Sequence, residues 1–107
     1  MSTYVFVELD IVRGKMDEFC EAMSIIIPAV EEQGWKVLFG GQEMVGQLNR
    51  VYDLYEVADA NAIQEVPIKM APVMEAKPEL VAAYDTVAKV VIRERITVCD
   101  KLPYWKG

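Results

Sequence analysis

The 107-residue chain contains no histidine. That absence removes the Ser-His-Asp and Cys-His nucleophile systems, ordinary zinc sites and histidine-ligated haem. Cysteine is scarce. Cys20 and Cys99 stand far apart with no CxxC pair, so no disulfide framework is expected. The two are read as buried, reduced thiols of a cytoplasmic protein, with a single bridge or a catalytic thiol as alternatives. Positive charge is in deficit: 17 acidic against 11 basic residues give a formal net charge of −6. The basic patch of a nucleic-acid binder is missing. No run of about 18 apolar residues exists to span a membrane. Met1-Ser2-Thr3 leads straight into a strand-like segment without a basic region ahead of an apolar one, so no signal peptide is expected. The carboxylates fit no calcium-loop spacing, and Gly40-Gly41 and Gly46 fit neither phosphate-cradling pattern. Neither metal nor cofactor is expected.

What is present is an apolar fraction of 53% with 26% charged residues. That balance belongs to a folded chain, and its length to one domain spanning 1–107. Residues 4–12 alternate as a strand. Val5, Val7, Leu9 and Ile11 take one face, and Tyr4, Phe6, Glu8 and Asp10 the other. Arg13-Gly14 turns the chain into a helix over 15–33. Its apolar stripe is Met16, Phe19, Cys20, Met23, Ile27 and Val30. Pro28 is expected to kink its last turns, and Gly34 to cap it in the left-handed conformation. Residues 35–44 read as a second strand in which Gly40-Gly41 marks a bulge or a close backbone approach. Val45-Gly46-Gln47 connects it to a third strand over 48–57.

Asp59 is placed as N-cap of a short helix over 60–66, broken by Pro67 and Pro72. The segment between those prolines is read as a lid or as an ordinary connection. A further helix covers 78–90, with Leu80, Tyr84, Val87 and Val91 inward, and 91–98 is a fourth strand. Residues 100–107 form an arm carrying Tyr104 and Trp105. The order strand, helix, strand, strand, helix, strand is that of the split βαβ, or ferredoxin-like, α+β fold. It has a four-stranded antiparallel sheet with the helices on one face. Phe6, Tyr52 and Leu54 then lie on an uncovered face, which predicts a homodimer with two sheets facing each other, a dimeric α+β barrel.

The run Gly46-Gln47-Leu48-Asn49-Arg50-Val51-Tyr52-Asp53-Leu54-Tyr55 resembles the third-strand signature of the NIPSNAP family, roughly Gly, any, Leu, Asn, any, Val, any, His, Leu, Trp. Gly14, Pro28 and Gly34 fall where that family has a glycine, a proline and a glycine around its first helix. The resemblance covers residues 4–60 and implies the same dimeric α+β barrel. It also departs from the family. Asp53 and Tyr55 stand at the histidine and tryptophan positions, and Val5, Val7 and Leu9 replace a polar Glu, Arg, Tyr set. The arginine-rich second helix is absent as well. The wider superfamily includes cofactor-free monooxygenases, muconolactone isomerase-like proteins, polyketide cyclases and haem-degrading enzymes. The resemblance therefore implies a pocket between sheet and helices.

On the helix-facing side, Asn49, Asp53 and Tyr55 interrupt a wall of Val5, Val7, Leu9, Val51 and Val57. Apolar walls with a few convergent polar groups suit a small-molecule substrate. Asp53 is read as a general base, since a carboxylate among valines is desolvated and its pKa rises. Tyr55 is read as donor to a developing enolate or phenolate oxygen, and Asn49 as orienting a carbonyl. Phe19, Met23 and Tyr84 complete the substrate-binding set, with Met16, Met70 and Met74 in the core or at the pocket mouth. The structural alternative pairs Asp53 with Arg93 or Arg95. On the opposite face Glu8, Asp10, Arg50, Tyr52 and Glu56 cluster, and Glu8 is expected to pair with Arg50. The expected activity is cofactor-independent isomerisation, cyclisation or lyase-type cleavage of a small apolar or aromatic carbonyl or phenol. The alternatives are a cofactor-free monooxygenase and a non-catalytic binding dimer.

Overall fold

Alternation in the first strand decides which way the sheet faces. In β1 (Thr3–Ile11), Val5, Val7, Leu9 and Ile11 are buried, while Tyr4, Phe6 and Glu8 on the other side are half-buried. The computed structural model describes residues 3–46 and 48–105. Met1, Ser2 and Gln47, which figured in the readings of the chain start and the strand connection, lie outside the described residues, as do Lys106 and Gly107.

β1 leads through Gly14, at φ 83°, into α1 (Met16–Glu32). Only a residue tolerant of positive φ turns the chain this sharply. α1 ends in a Schellman cap: Trp35 N–H donates to Val30 O and Gly34 N–H to Glu31 O, with Gly34 at φ 100° as expected. β2 (Lys36–Gln42) and β3 (Arg50–Val57) follow. The remaining elements are α2 (Asn61–Ala76), α3 (Pro78–Val90) and β4 (Val91–Asp100). The sheet order is β2-β3-β1-β4 with every neighbouring pair antiparallel. This is the expected ferredoxin-like α+β arrangement.

Two features of the helical layer differ from the sequence reading. α1 buries Phe19, Ala22, Ile26, Ala29 and Val30. Cys20 and Cys99 are free, but both are exposed rather than buried. The burial face is rotated because Ala22, Ile26 and Ala29 turn toward Leu80 and Ala83 of α3, where small side chains let the two helices approach. The second difference is α2, which runs through both Pro67 and Pro72 instead of stopping at residue 66. Both prolines are exposed while Met70 is buried. Packing of the inner face, where Met70 is buried, outweighs the loss of two helical N–H donors. The segment between the prolines is helix rather than an irregular connection. The N-cap is Ala60, which has no side-chain cap, and not Asp59; Asp59 stands one residue earlier, where its Oδ1 accepts the Asn61 N–H at 2.9 Å in an Asx turn.

The face away from the helices carries a polar and aromatic network. Phe6 stacks on Tyr52 at 5.9 Å. Arg50 Nε donates to Asp10 Oδ1 at 2.9 Å, and Arg93 approaches the same carboxylate. Arg95 lies 3.7 Å from Glu8. Arg50 therefore pairs with Asp10, not with Glu8, because the register sets Asp10 opposite Arg50 and Glu8 opposite Tyr52. The arm folds back through a Trp105 N–H to Leu102 O bond at 3.0 Å. Together with Tyr4, Phe6, Leu54 and Cys99, it borders an apolar hollow of about 340 Å³ on this face.

Candidate functional site

The site originates in an irregularity of an edge strand. β2 pairs with β3 as Val37↔Tyr55 and then Phe39↔Leu54, so Leu38 is the extra residue of a β-bulge. The shift brings Gly40 opposite Asp53 and Gln42 opposite Val51, on the helix side. Phe39 goes to the open face, where it is exposed. The sequence placed a bulge or a close approach at Gly40-Gly41. The bulge lies two residues earlier, and the close approach is at Gly40: a Cβ there would sit 3.2 Å from Asp53 Oδ1.

Between this end of the sheet and α1 lies a cavity of about 540 Å³. Ligand pockets commonly enclose about 300–1,000 Å³. Met16, Phe19, Met23 and Ile27 form the helix wall, and Val37, Gly40, Val51 and Asp53 the sheet wall. Cys20, Ser24 and Pro28 border it along α1. No lysine or arginine lines it among the described residues. Pro28 has no N–H, so the carbonyl of Ser24 lacks its helical donor on this side of α1.

Asp53 is 8% exposed. Tyr55 O–H donates to its Oδ2 over a long 3.4 Å, the one side-chain partner it has among the described residues. Desolvation pushes the Asp53 carboxyl above its ordinary value, against the smaller lowering effect of Tyr55. Burial and the neighbouring carboxylate push the Tyr55 phenol well above its ordinary range. The alternative partners are engaged elsewhere. Arg93 and Arg95 are exposed and lie against Asp10 and Glu8.

Of the ten residues singled out from the sequence, Asp53, Phe19, Met23 and Val51 line the cavity. Tyr55 is buried behind Asp53, with its ring against Trp35, and reaches the cavity only through the carboxylate. Val5, Val7 and Leu9 lie on the central strand, packed in the core with Phe19 and Val90 away from the hollow. Asn49 precedes β3, and its carbonyl accepts the Ile11 N–H at 2.8 Å. Tyr84 is half-buried beside the α1–α3 core, off the cavity wall. The lining residues missed are Cys20, Ser24, Ile27 and Pro28 on α1 and Val37, Gly40, Gly41 and Gln42 on β2. For Val37 and Gln42 the available signal was the Gly40-Gly41 pair, since a bulge there alters which residues of the strand face inward.

Among the described residues no helix is long and apolar enough to cross a membrane. Nor do three His, Cys, Asp or Glu side chains gather to hold a metal ion.

No family model and no curated protein matches the sequence. Solved structures match its fold over nearly the full length. An uncharacterized NIPSNAP domain protein from Burkholderia xenovorans superposes with a TM-score of 0.77 at 14% identity, covering 98% of this chain and 99% of that one. A NIPSNAP family protein from Agrobacterium tumefaciens gives 0.80 at 14% identity, over 97% and 96%. A putative antibiotic biosynthesis monooxygenase from Nitrosomonas europaea gives 0.69 at 13% identity, over 96% and 92%. The chain is NIPSNAP-like in fold, and it shares that fold with the putative antibiotic biosynthesis monooxygenase.

Proposed function

We propose that this protein is a cofactor-independent enzyme that removes a proton from a small apolar or aromatic carbonyl or phenol substrate. Asp53 is the general base. One observation carries the reading: a carboxyl group on the wall of an apolar cavity, desolvated and without a cationic partner among the described residues. A carboxylate so placed gains most by accepting a proton, and its raised pKa brings it closer to neutral working conditions.

The step is a transfer of one proton. Asp53 accepts it from an acidic C–H or O–H, and the electron pair passes to the substrate oxygen as enolate or phenolate. Returning the proton to a different carbon gives isomerisation, and attack by the carbanion within the same molecule gives cyclisation. Where the proton comes instead from a β-hydroxyl group, the alkoxide closes to a carbonyl as the adjoining carbon–carbon bond breaks, and the other fragment leaves as an enolate that takes the proton back from Asp53, which is lyase-type cleavage. Tyr55 holds Asp53 in place rather than touching substrate, its O–H engaging Oδ2 and leaving Oδ1 toward Gly40. The test is Asp53→Asn with a panel of such substrates. The loss expected is about 10²-fold or more in turnover with the fold retained. Full turnover by the folded variant refutes the assignment.

A second reading is a cofactor-free monooxygenase, favoured by the shared fold with putative antibiotic biosynthesis monooxygenases from Nitrosomonas europaea and Bacteroides thetaiotaomicron. Oxygen uptake during turnover, without added flavin or metal, separates it from isomerisation.

The working unit we propose is a homodimer with the open sheet faces together. Phe6, Tyr52 and Leu54 on that face, with the half-exposed Trp105, supply apolar area that one chain leaves uncovered. Phe6→Asp is expected to yield monomers in sedimentation velocity, and a monomeric unmodified protein removes the proposal.

A further inference from the structure

The cavity has a directional chemistry. Its one carboxylate among the described residues points one oxygen, Oδ2, back at Tyr55. The other, Oδ1, lies beside Gly40, where any side chain would start 3.2 Å away. Gly40 has an ordinary extended φ, so no backbone strain calls for glycine there. Space is what the missing side chain provides. A ligand can lie flat along the bare strand and reach Oδ1 end-on. The walls around it, Met16, Phe19, Met23, Ile27 and Val51, are apolar and adaptable.

The same wall offers little to a developing negative charge. No lysine or arginine lines it among the described residues. Its hydroxyl and amide side chains are largely engaged: Ser24 Oγ donates to Glu21 O at 2.6 Å, and Gln42 Nε2 gives one of its two N–H groups to Leu48 O at 2.8 Å. A localised enolate would be badly stabilised here, because an unpaired charge in an apolar site is costly. An anion that spreads its charge over its own π-system needs much less from the wall.

We propose that the cavity selects planar aromatic molecules bearing an acidic O–H or vinylogous C–H at one end, admitted over Gly40 to Asp53 Oδ1, whose anions delocalise their own charge. This rests on the placement of the proton-accepting site at Asp53, and it assigns Gly40 as a positioning residue that sets which ligands reach it.

The experiment compares β-naphthol with its methyl ether, which have nearly the same body but differ in the donor. Binding is followed by fluorescence titration of the full chain. Protection of Cys20, on the cavity border, from iodoacetamide in a Cys99→Ser background locates the ligand. Wild type is expected to bind the naphthol about tenfold or more tighter than the ether, the usual worth of a hydrogen bond to a charged group. Gly40→Ala is expected to bring that ratio close to one while the ether still binds. Asp53→Asn, which adds no volume, is expected to shrink the ratio as well and covers the case of a poorly folded alanine variant. A ratio near one in wild type, or an unchanged ratio in Gly40→Ala, overturns the selection while leaving Asp53 on a ligand-binding wall. Failure of both compounds to bind or to protect Cys20 overturns the selection and the proposed site together.

Discussion

The indole of Trp35 stands edge-on to the ring of Tyr55, with centroids 5.3 Å apart, and its Nε1–H donates to the carbonyl of Ala62 at 3.3 Å. One side chain thereby ties the start of β2 to the first turn of α2 and fixes the ring behind Asp53. Trp35→Phe keeps an aromatic edge but loses the donor. The expected cost is about 1 kcal/mol, read as a lower denaturant midpoint with an unchanged slope. A variant as stable as wild type would show that the link carries no weight.

Tyr55→Phe tests the hydrogen bond itself. The phenol lowers the Asp53 pKa, partly offsetting burial. Without it the carboxylate is less well solvated, and its pKa rises further. Proton abstraction needs the ionised form, so the acidic limb of the pH–rate profile is expected to move to higher pH. A carbon-13 NMR titration of labelled aspartate is the direct check. A limb that stays put, or moves down, contradicts the pairing.

Two aspartates on opposite faces of the sheet are expected to affect stability with opposite signs. The Asp53 pKa is raised above the ordinary value of 3.8 by desolvation. Its contribution is therefore intact below 3.8 and declines as pH rises through the folded-state value. Asp53→Asn is expected to melt a few degrees above wild type near neutrality, with the gap closing in acid. The Asp10 pKa is lowered, chiefly by its hydrogen bond with Arg50. Its contribution is present above 3.8 and is lost as pH falls through the folded value. Arg50→Met is expected to weaken the protein near neutrality and to converge with wild type in acid. Melting curves between about pH 2 and 8 settle both signs.

Pro67 is an exposed proline inside α2. Replacing it with alanine restores an N–H for the Ile63 carbonyl. The helix gain of up to about 3 kcal/mol is offset by roughly 1 kcal/mol from a freer unfolded chain. A net stabilisation of about 1–2 kcal/mol is expected in chemical denaturation. A destabilised variant would mean that the backbone geometry set by proline is needed to seat Met70.

Sequence alternation made the sheet legible. The inward faces of β1 and β3 need only a period of two, and Val5 through Ile11 and Val51 through Val57 keep it without interruption. The glycine cap at Gly34 was legible because positive φ has few substitutes. α2 was misread because a local rule about proline carries no knowledge of which face water reaches. The position of the hollow was legible only in part. Asp53 could be placed on the correct face, yet the side of the sheet that stays unfilled depends on how α1 lies over β2. Nothing local to Val5, Val7 or Leu9 distinguishes a core wall from a pocket wall. Arg50 was matched to the wrong acid for a related reason: pairing across strands depends on a register that turn residues set only approximately.

The unpaired Leu38 makes the hollow a matter of reading frame. Were the ladder beyond it to slip by one position, Phe39 would stand opposite Asp53 in place of Gly40, and a benzyl group would plug the space. A single-residue insertion beside Leu38 in this outermost strand thus has the power to switch a vessel into a solid block.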